Sequence, residues 1–237
     1  MTPPQDAASL PGWSAQQARA RFEARFGTKR PVILFIVPTS AEDDAVRDAA
    51  RARADGADGV FLINRRIGHQ ELLRIAGSLA RIHAGWFVGV NCRDLRPQDV
   101  FCRLPEGIGG VWTEWPESTG GWPPVVVAMH EARQLRKWNG LYFCGPKPGT
   151  SWQRLAAART SGQLDPADVL VLERSPADLG PRQDHSPERQ GTILKHPIAL
   201  QVNGASCSSL SAVTPVACLM VHPEDSADLP NPETRQG

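Results

Sequence analysis

The sequence predicts an α/β fold, a single (βα)8 TIM barrel with an N-terminal extra helix and a reduced or missing last helix. The chain has 237 residues, which suits one such barrel. Short apolar runs alternate with segments of helical composition, which favours parallel strands joined by helical crossovers. We expect three parts: residues 1–30 as an N-terminal extension and capping helix, 31–222 as the barrel, and 223–237 as a flexible C-terminal tail.

The first predicted element is a leading helix over Ser14–Phe26. Ser14 is a suitable N-cap, and Ala18, Phe22 and Phe26 recur at four-residue spacing on one face. Gly27 ends the helix. In a barrel, a helix at this position covers the open N-terminal mouth.

Eight apolar runs follow as predicted strands. The first is wholly apolar and rich in β-branched residues, which is typical of a parallel strand buried on both faces. The eight runs are Val32–Val37, Val60–Ile63, Trp86–Val90, Gly110–Trp115, Leu141–Cys144, Val169–Leu172, Pro197–Val202 and Val216–Val221.

Helical segments separate most of these runs. The segment His69–His83 has the apolar stripe of a half-buried helix, whereas Pro187–Lys195 has only a weak helical pattern. The segments are Ala41–Ala54, His69–His83, Pro97–Leu104, Val125–Trp138, Ser151–Thr160 and Pro187–Lys195. Pro223–Gly237 has little to bury, so we expect a tail there. The long polar loop Ser175–Ser186 is either a lid or disordered, and the sequence leaves both open.

Composition excludes several classes of partner. The chain has 26 basic and 25 acidic residues, so no long-range field draws it to nucleic acid or to an anionic membrane. No apolar stretch is long enough to span a bilayer, and the N-terminus lacks the apolar run of a signal peptide. The five cysteines show no C-x-x-C spacing, which indicates reduced thiols. We therefore expect a cytoplasmic protein.

Polar residues follow the predicted strands, and in a parallel barrel these positions converge on one mouth. The expected catalytic residues are Glu114, Glu173 and Lys147, because neighbouring carboxylates suit proton transfer and a lysine there holds phosphate or acts as a base. The expected substrate-binding residues are Asn64, Asn91, Arg93, Arg174, Asn203, Gly204 and His222.

Strand alternation sharpens this expectation. If the faces that carry the polar end residues point into the barrel, these side chains meet in its top layer. The faces are Val60, Leu62 and Asn64; Phe87, Gly89 and Asn91; Trp112 and Glu114; Ala199, Gln201 and Asn203; Met220 and His222.

A structural interpretation stands beside the functional one, since polar strand ends also bond loop backbone in any barrel. A metal site from Glu114, Glu173 and His222 has no supporting H-x-H or H-E-x-x-H spacing, so no metal is expected. No G-x-S-x-G or dinucleotide motif is present, so we expect neither a serine nucleophile nor a cofactor. The remaining histidines are expected at the surface or at helix ends: His69, His83, His130, His185 and His196.

Of the two loops that commonly bind phosphate in such barrels, those after strands seven and eight, the sequence supports only the first. Asn203–Ser206 follows the seventh strand and includes a glycine whose backbone N–H would suit an anion. After the eighth strand, Pro223 lacks a donor, and Glu224 and Asp225 would repel phosphate. A phosphorylated ligand is therefore an open alternative with weak support.

Three motifs in order resemble the BtpA-like barrels, a family related to the ribulose-phosphate-binding superfamily. They are Ala54–Asn64, Trp86–Asn91 and Gly140–Gly145. The resemblance covers most of Pro31–Val221 and implies a barrel with a phosphoribosyltransferase-like or unassigned reaction.

The loops depart from the pattern of that family. Its members carry a Gly-rich stretch ending in Lys after strand five, where this chain has Cys144–Pro148. Ser/Thr-Gly loops after strands six and eight are replaced here by Glu173–Pro176 and by His222–Pro223. Either the substrate has changed or catalysis has been lost.

Two functions are open. The first is an enzyme that acts on a small polar metabolite (sugar, nucleoside or sugar phosphate) by lyase, isomerase or glycosyl-transfer chemistry. The second is an inactive barrel that serves as a binding or scaffold subunit. A missing last helix would expose barrel surface, so a homo-oligomer is also an open alternative.

Overall fold

The structure, a computed structural model, describes residues 15–27, 32–114, 124–145, 167–174, 198–202 and 218–221. These residues contain five helices: α1 Ala15–Phe26, α2 Glu42–Ala54, α3 His69–Ile82, α4 Pro97–Phe101 and α5 Pro124–Leu135. They also contain eight strands: β1 Val32–Thr39, β2 Gly59–Asn64, β3 Phe87–Asn91, β4 Gly110–Glu114, β5 Leu141–Gly145, β6 Val169–Arg174, β7 Ile198–Val202 and β8 Cys218–Val221.

The eight strands form a closed parallel barrel in sequence order. Closure is visible at β1, which pairs with β2 through Leu34 and Gly59 and with β8 through Val32 and Cys218. The barrel predicted from the apolar runs is therefore present, and each strand lies within two residues of its predicted bounds. Parallel closure puts all eight carboxyl ends at one end, here called the carboxyl mouth, and all starts at the other, here called the amino end.

Two apolar clusters pack on the two sides of the barrel wall. The outer cluster joins strand residues such as Val60 and Leu62 to helix residues such as Leu72 and Ala76. The inner cluster fills the barrel and contains residues from all eight strands, together with Phe22 of α1. The wall is thus apolar on both faces, which explains why the strands read as continuous apolar runs.

Aromatic rings fill the middle of the barrel. Phe61 makes edge contacts with Phe87, Trp112 and Phe143 at centroid distances of 5.5, 6.0 and 4.9 Å. Glycine makes room for them, because a Cβ on Gly89 would overlap the Phe61 ring.

One predicted strand orientation is wrong. Val60 and Leu62 belong to the outer cluster, so the face of β2 that ends in Asn64 points toward the helices. The inward residues of β2 are Phe61 and Ile63. The expected inward faces of β3, β4, β7 and β8 are confirmed by members of the inner cluster, Phe87, Trp112, Ala199 and Met220.

Helix α1 packs across the amino end of the barrel. The Phe26 ring lies 5.0 Å from the Phe87 ring, and Phe22 is 5% exposed. Arg21 forms an ion pair with Asp168, which precedes β6, and Arg25 donates to the backbone oxygen of Trp86, which precedes β3. Apolar and polar contacts therefore both hold this helix against the starts of the strands.

Two helices end three residues earlier than their composition predicts, α4 at Phe101 and α5 at Leu135, and α3 ends one residue earlier, at Ile82. The predicted helices Ser151–Thr160 and Pro187–Lys195, the loop Ser175–Ser186 and the tail 223–237 lie outside the described residues. Within the described residues, no helix is both long enough and apolar enough to cross a membrane.

Candidate functional site

The carboxyl mouth is formed by the last residues of the strands. Backbone register aligns Thr39 with Asn64 and Ile63 with Asn91, and Glu114 with Gly145. The Thr39 side chain is fully buried, and its hydroxyl donates to the Val37 oxygen at 3.0 Å.

Asn91 is the last residue of β3 and follows Phe87 and Gly89 on the inward face. The residue as a whole is only 8% exposed. Within the described part of the chain, its amide makes no side-chain hydrogen bond. The amide carries donor N–H groups and an acceptor oxygen, and both kinds of group can bond a ligand that enters the mouth.

Glu114 is the last residue of β4 and shares its inward face with Trp112. Its side chain is exposed, in contrast to the four buried residues before it in the strand. Among the described residues, no basic side chain pairs with this carboxylate. It is therefore accessible for proton transfer or ligand binding.

Three arginines follow the strands that neighbour this site. Arg65 and Arg66 come after β2, and Arg93 comes after β3. All three are exposed, and no described acidic side chain forms an ion pair with them. Guanidinium groups bind carboxylates and phosphates through paired hydrogen bonds, so this part of the rim favours an anionic ligand.

Asn64 has a different environment from Asn91. Its Oδ1 accepts a hydrogen bond from the Arg93 backbone at 2.7 Å, and its Nδ2 donates to Asp94 at 2.5 Å and to the Ile67 oxygen at 3.3 Å. These bonds join the loops after β2 and β3. The amide of Asn64 thus holds the loops that carry the exposed arginines.

Asp94 continues this network to the start of α3. Its Oδ2 accepts from the His69 backbone at 2.9 Å and lies 3.1 Å from His69 Nδ1. Partial burial raises the pKa of Asp94, but the hydrogen bonds from His69 and Asn64 outweigh it and hold this pKa below its ordinary value.

His69 and Asp94 did not belong to the predicted site. His69 does lie at a helix end, as expected, but its contact with Asp94 spans 25 residues of sequence. The signal in the sequence for Asp94 is its position three residues after Asn91, just beyond the end of β3. Nothing in the local pattern shows that its carboxylate reaches the preceding helix.

The buried thiols near the mouth are poor nucleophiles. Burial raises the pKa of Cys92 to about 12, with the Asp94 carboxylate adding to the rise. Burial also raises the pKa of Cys144 to about 11, and this residue packs in the outer cluster. Because the thiolate is the reactive form, neither cysteine is activated.

Several predicted site residues are not placed by the structure. Lys147, Asn203, Gly204 and His222 lie outside the described residues. Glu173 and Arg174 are described only in their backbone, which pairs with Gln201 and Val202 of β7. Among the described side chains, no three His, Cys, Asp or Glu residues form a group that could hold a metal ion.

Comparison with solved structures finds enzymes that have the TIM-barrel fold. KGPDC from Streptococcus mutans matches with a TM-score of 0.54 at 10% identity, over 82% of this chain and 88% of that one. A 2,3-dimethylmalate lyase of the PEP mutase/isocitrate lyase superfamily matches with a TM-score of 0.59 at 13% identity, over 88% and 80%. Orotidine 5'-monophosphate decarboxylase from Methanocaldococcus jannaschii matches with a TM-score of 0.54 at 12% identity, over 82% of this chain and 90% of that one.

These similarities show the fold alone, because the sequence identities are low. No protein-family model matches the chain, and no curated protein matches it in sequence. The TIM-barrel part of the expected resemblance is supported, whereas the narrower BtpA-like resemblance stays a prediction.

Proposed function

We propose that this chain is an enzyme that converts a small polar metabolite with an anionic group at the carboxyl mouth of the barrel. The observation that carries the proposal is the pair of polar residues that end the neighbouring strands β3 and β4. Asn91 is 8% exposed and its amide has no hydrogen-bond partner among the described residues, and the neighbouring strand ends in the exposed Glu114.

Each described residue has a role that fits its chemistry. Glu114 transfers a proton to or from the substrate. Asn91 orients the substrate by bonding a hydroxyl or carbonyl group. Arg93, with Arg65 and Arg66, binds a phosphate or carboxylate at the rim. Asn64 acts as a positioning residue, since its amide holds the loop of Arg93 in place.

The other predicted site residues complete the proposal. Glu173 and Lys147 are the further catalytic residues, and Glu173 lies two residues after Val171, a member of the inner cluster. The further substrate-binding residues are Arg174, Asn203, Gly204 and His222.

The names of similar structures support an anionic substrate. Orotidine 5'-monophosphate decarboxylase is named for a phosphorylated substrate, and an oxaloacetate acetylhydrolase among the matches is bound to its product oxalate. Lyase chemistry is the first choice, with isomerase and BtpA-like glycosyl transfer as alternatives. We also propose a cytoplasmic enzyme that needs no metal or cofactor, with a homo-oligomer as the assembly to test.

Ligand binding tests the proposal directly. Thermal unfolding would be followed with D-ribose 5-phosphate, D-ribose, inorganic phosphate, a nucleoside and oxalate as separate additions. We expect an anionic ligand to raise the unfolding temperature, because binding to the folded state stabilises it. Asn91→Ala should weaken that binding by about tenfold, the effect of one lost hydrogen bond to a charged or polar ligand.

A matched pair of variants tests the role of Glu114. Glu114→Gln removes the carboxylate at the mouth, and Glu106→Gln removes an exposed carboxylate in the loop before β4. NMR spectra of each ligand incubated with protein would reveal product. We expect turnover in wild type and Glu106→Gln, and a loss of about 100-fold or more in Glu114→Gln. Binding without turnover would favour the scaffold function, and no binding by any ligand would contradict both the substrate class and the site.

A further inference from the structure

A second concave site lies at the amino end, on the opposite side of the barrel from the mouth. Its cavity has a volume of about 560 Å³ and lies among α1, the ends of α3 and α5, and the loops before β3, β4 and β5. Pockets of about 300–1,000 Å³ hold small molecules. The residues that define its chemistry are Arg25, Trp86, Glu106, Arg136, Lys137 and Trp138.

Two tryptophans form rigid parts of the cavity wall. The indole of Trp86 donates to the Ala57 oxygen at 3.0 Å, and that of Trp138 donates to the Ile108 oxygen at 2.9 Å. Each ring is thus held by a bond to the backbone of a neighbouring element. Fixed aromatic surfaces bind planar apolar groups with little loss of side-chain entropy.

The ionisable residues of the wall give the cavity a positive charge. Three are basic and one, Glu106, is acidic. Arg136 is occupied by the Phe101 and Leu104 backbone oxygens, at 3.1 and 2.9 Å. Lys137 is exposed, and no described carboxylate pairs with it. Its ammonium group is the one best suited to bind an incoming anion.

We propose that this cavity binds a small planar aromatic anion, such as an aromatic carboxylate. The tryptophans contact the ring system, and Lys137 pairs with the acidic group. The site is separate from the carboxyl mouth, so the proposal does not depend on the function assigned to Asn91 and Glu114.

A test uses 2-naphthoate as the probe and uncharged 2-naphthamide as its matched analogue. Titrations would be followed through the indole N–H signals of the protein, with Trp86 and Trp138 assigned from single Trp→Phe variants. We expect saturable binding of 2-naphthoate that shifts these two signals, and binding of 2-naphthamide that is about tenfold weaker, because it lacks the charge.

Two variants locate the bound probe. Ala84 lines the cavity and is exposed, so Ala84→Trp should fill the space and weaken 2-naphthoate binding by about tenfold or more. Ala54, an exposed residue at the end of α2 outside the cavity, gives the control Ala54→Trp, which should bind normally. Lys137→Gln should weaken binding of 2-naphthoate and leave 2-naphthamide unchanged.

Three outcomes would overturn this proposal. They are no saturable binding, equal weakening by Ala84→Trp and Ala54→Trp, or loss of binding in Asn91→Ala, which would place the probe at the mouth. If 2-naphthoate binds as expected while no ligand binds at the mouth, this site stands and the proposed enzyme function fails.

Discussion

At the scale of single residues, two asparagines show how neighbouring positions acquire different roles. Asn64 and Asn91 each end a strand, and each is 8% exposed. Register places Asn91 beside Ile63, so the two asparagines lie on opposite faces of the wall. Asn64 bonds the loops, whereas Asn91 faces the barrel without a described partner. The role of each residue therefore follows from its face and not from its type.

Gly89 is a second residue whose identity is required by packing. A Cβ there would overlap the Phe61 ring, which is fully buried among three other aromatic rings. We expect Gly89→Ala to lower the free energy of unfolding by about 1–3 kcal/mol, the range for overpacked cores. Urea unfolding followed by tryptophan fluorescence would measure it.

Gly68 provides the matched control for that substitution. Its φ is −76°, and the nearest atom to an added Cβ is Asp94 Oδ2 at 3.8 Å, an ordinary contact. Gly68→Ala should lower the free energy of unfolding by less than about 1 kcal/mol, because Gly68 is the N-cap of α3, where alanine is less favourable than glycine. A similar loss in both variants would contradict the packing explanation.

The network at the rim predicts a pH dependence. Because its hydrogen bonds hold the pKa of Asp94 below the ordinary value of 3.8, the folded protein binds this proton less readily than the unfolded chain does. The resulting stabilisation is present above this unfolded-state pKa and is lost as the pH falls through the lower folded-state value. Asp94→Asn should therefore be less stable than wild type near neutral pH.

Unfolding measured from pH 7 down to about pH 2 would check this prediction. The difference between wild type and Asp94→Asn should shrink as the pH falls through the acidic range. A difference that stays constant over that range would show that the charge of Asp94 does not contribute.

At the level of helices and strands, the end of α5 depends on a contact that its last residues make with another loop. The helical pattern predicted α5 as far as Trp138, but the helix stops at Leu135. Lys137 has a φ of 52°, in the left-handed region, and Trp138 turns its indole to the Ile108 oxygen. The end of α5 is therefore set by a contact with another loop, which the helical period does not contain.

Asp168 connects several elements at the amino end. Its fully buried carboxylate accepts from Arg21 of α1, from Arg133 of α5 and from the Tyr142 backbone of β5. Asp168→Asn would remove the negative charge that pairs with Arg21 and Arg133. We expect it to lower the free energy of unfolding by about 3–5 kcal/mol, as when one partner of a buried ion pair is removed.

An exposed ion pair gives the comparison for Asp168. Asp44 and Arg47 pair on the surface of α2, with exposed side-chain fractions of 46% and 67%. Asp44→Asn should change stability by less than about 1 kcal/mol. Chemical denaturation of both variants would separate the effects, and equal losses would argue against a structural role for the buried network.

At the scale of the whole molecule, the two ends of the barrel differ in what lies against them. Phe22 and Phe26 of α1 cover the aromatic interior at the amino end, with ring centroids 5.1 Å apart. Phe22→Ala should lower the free energy of unfolding by about 3–5 kcal/mol, the usual effect of removing a buried phenylalanine. Ligand binding at the carboxyl mouth should be unchanged in the folded variant.

The control for α1 is Gln16→Ala on its exposed face, which should change stability by less than about 0.5 kcal/mol. Calorimetry would give both values. Loss of ligand binding in folded Phe22→Ala would mean that the two ends of the barrel are coupled.

The fold could be predicted from the sequence more completely than the candidate site could. The strands are predictable because short β-branched runs such as Val32–Val37 are typical of strands buried on both faces of a covered parallel sheet. The site was located less well. Asn91 and Glu114 both end strands at the carboxyl mouth. The predicted face of Asn64 is wrong, and the local pattern does not predict the contact of Asp94 with His69.

The class of fold, the order of the strands and the end at which polar residues gather follow from the amino-acid sequence, because they depend on local hydrophobic pattern and on the direction of parallel strands. The strand faces that line the barrel and the polar groups that meet there follow from the packing of the folded chain. In β2 both faces are apolar, so alternation carries no signal for inside or outside. Closure of β1 onto β8 and the packing of Phe61 against its neighbours settle that choice.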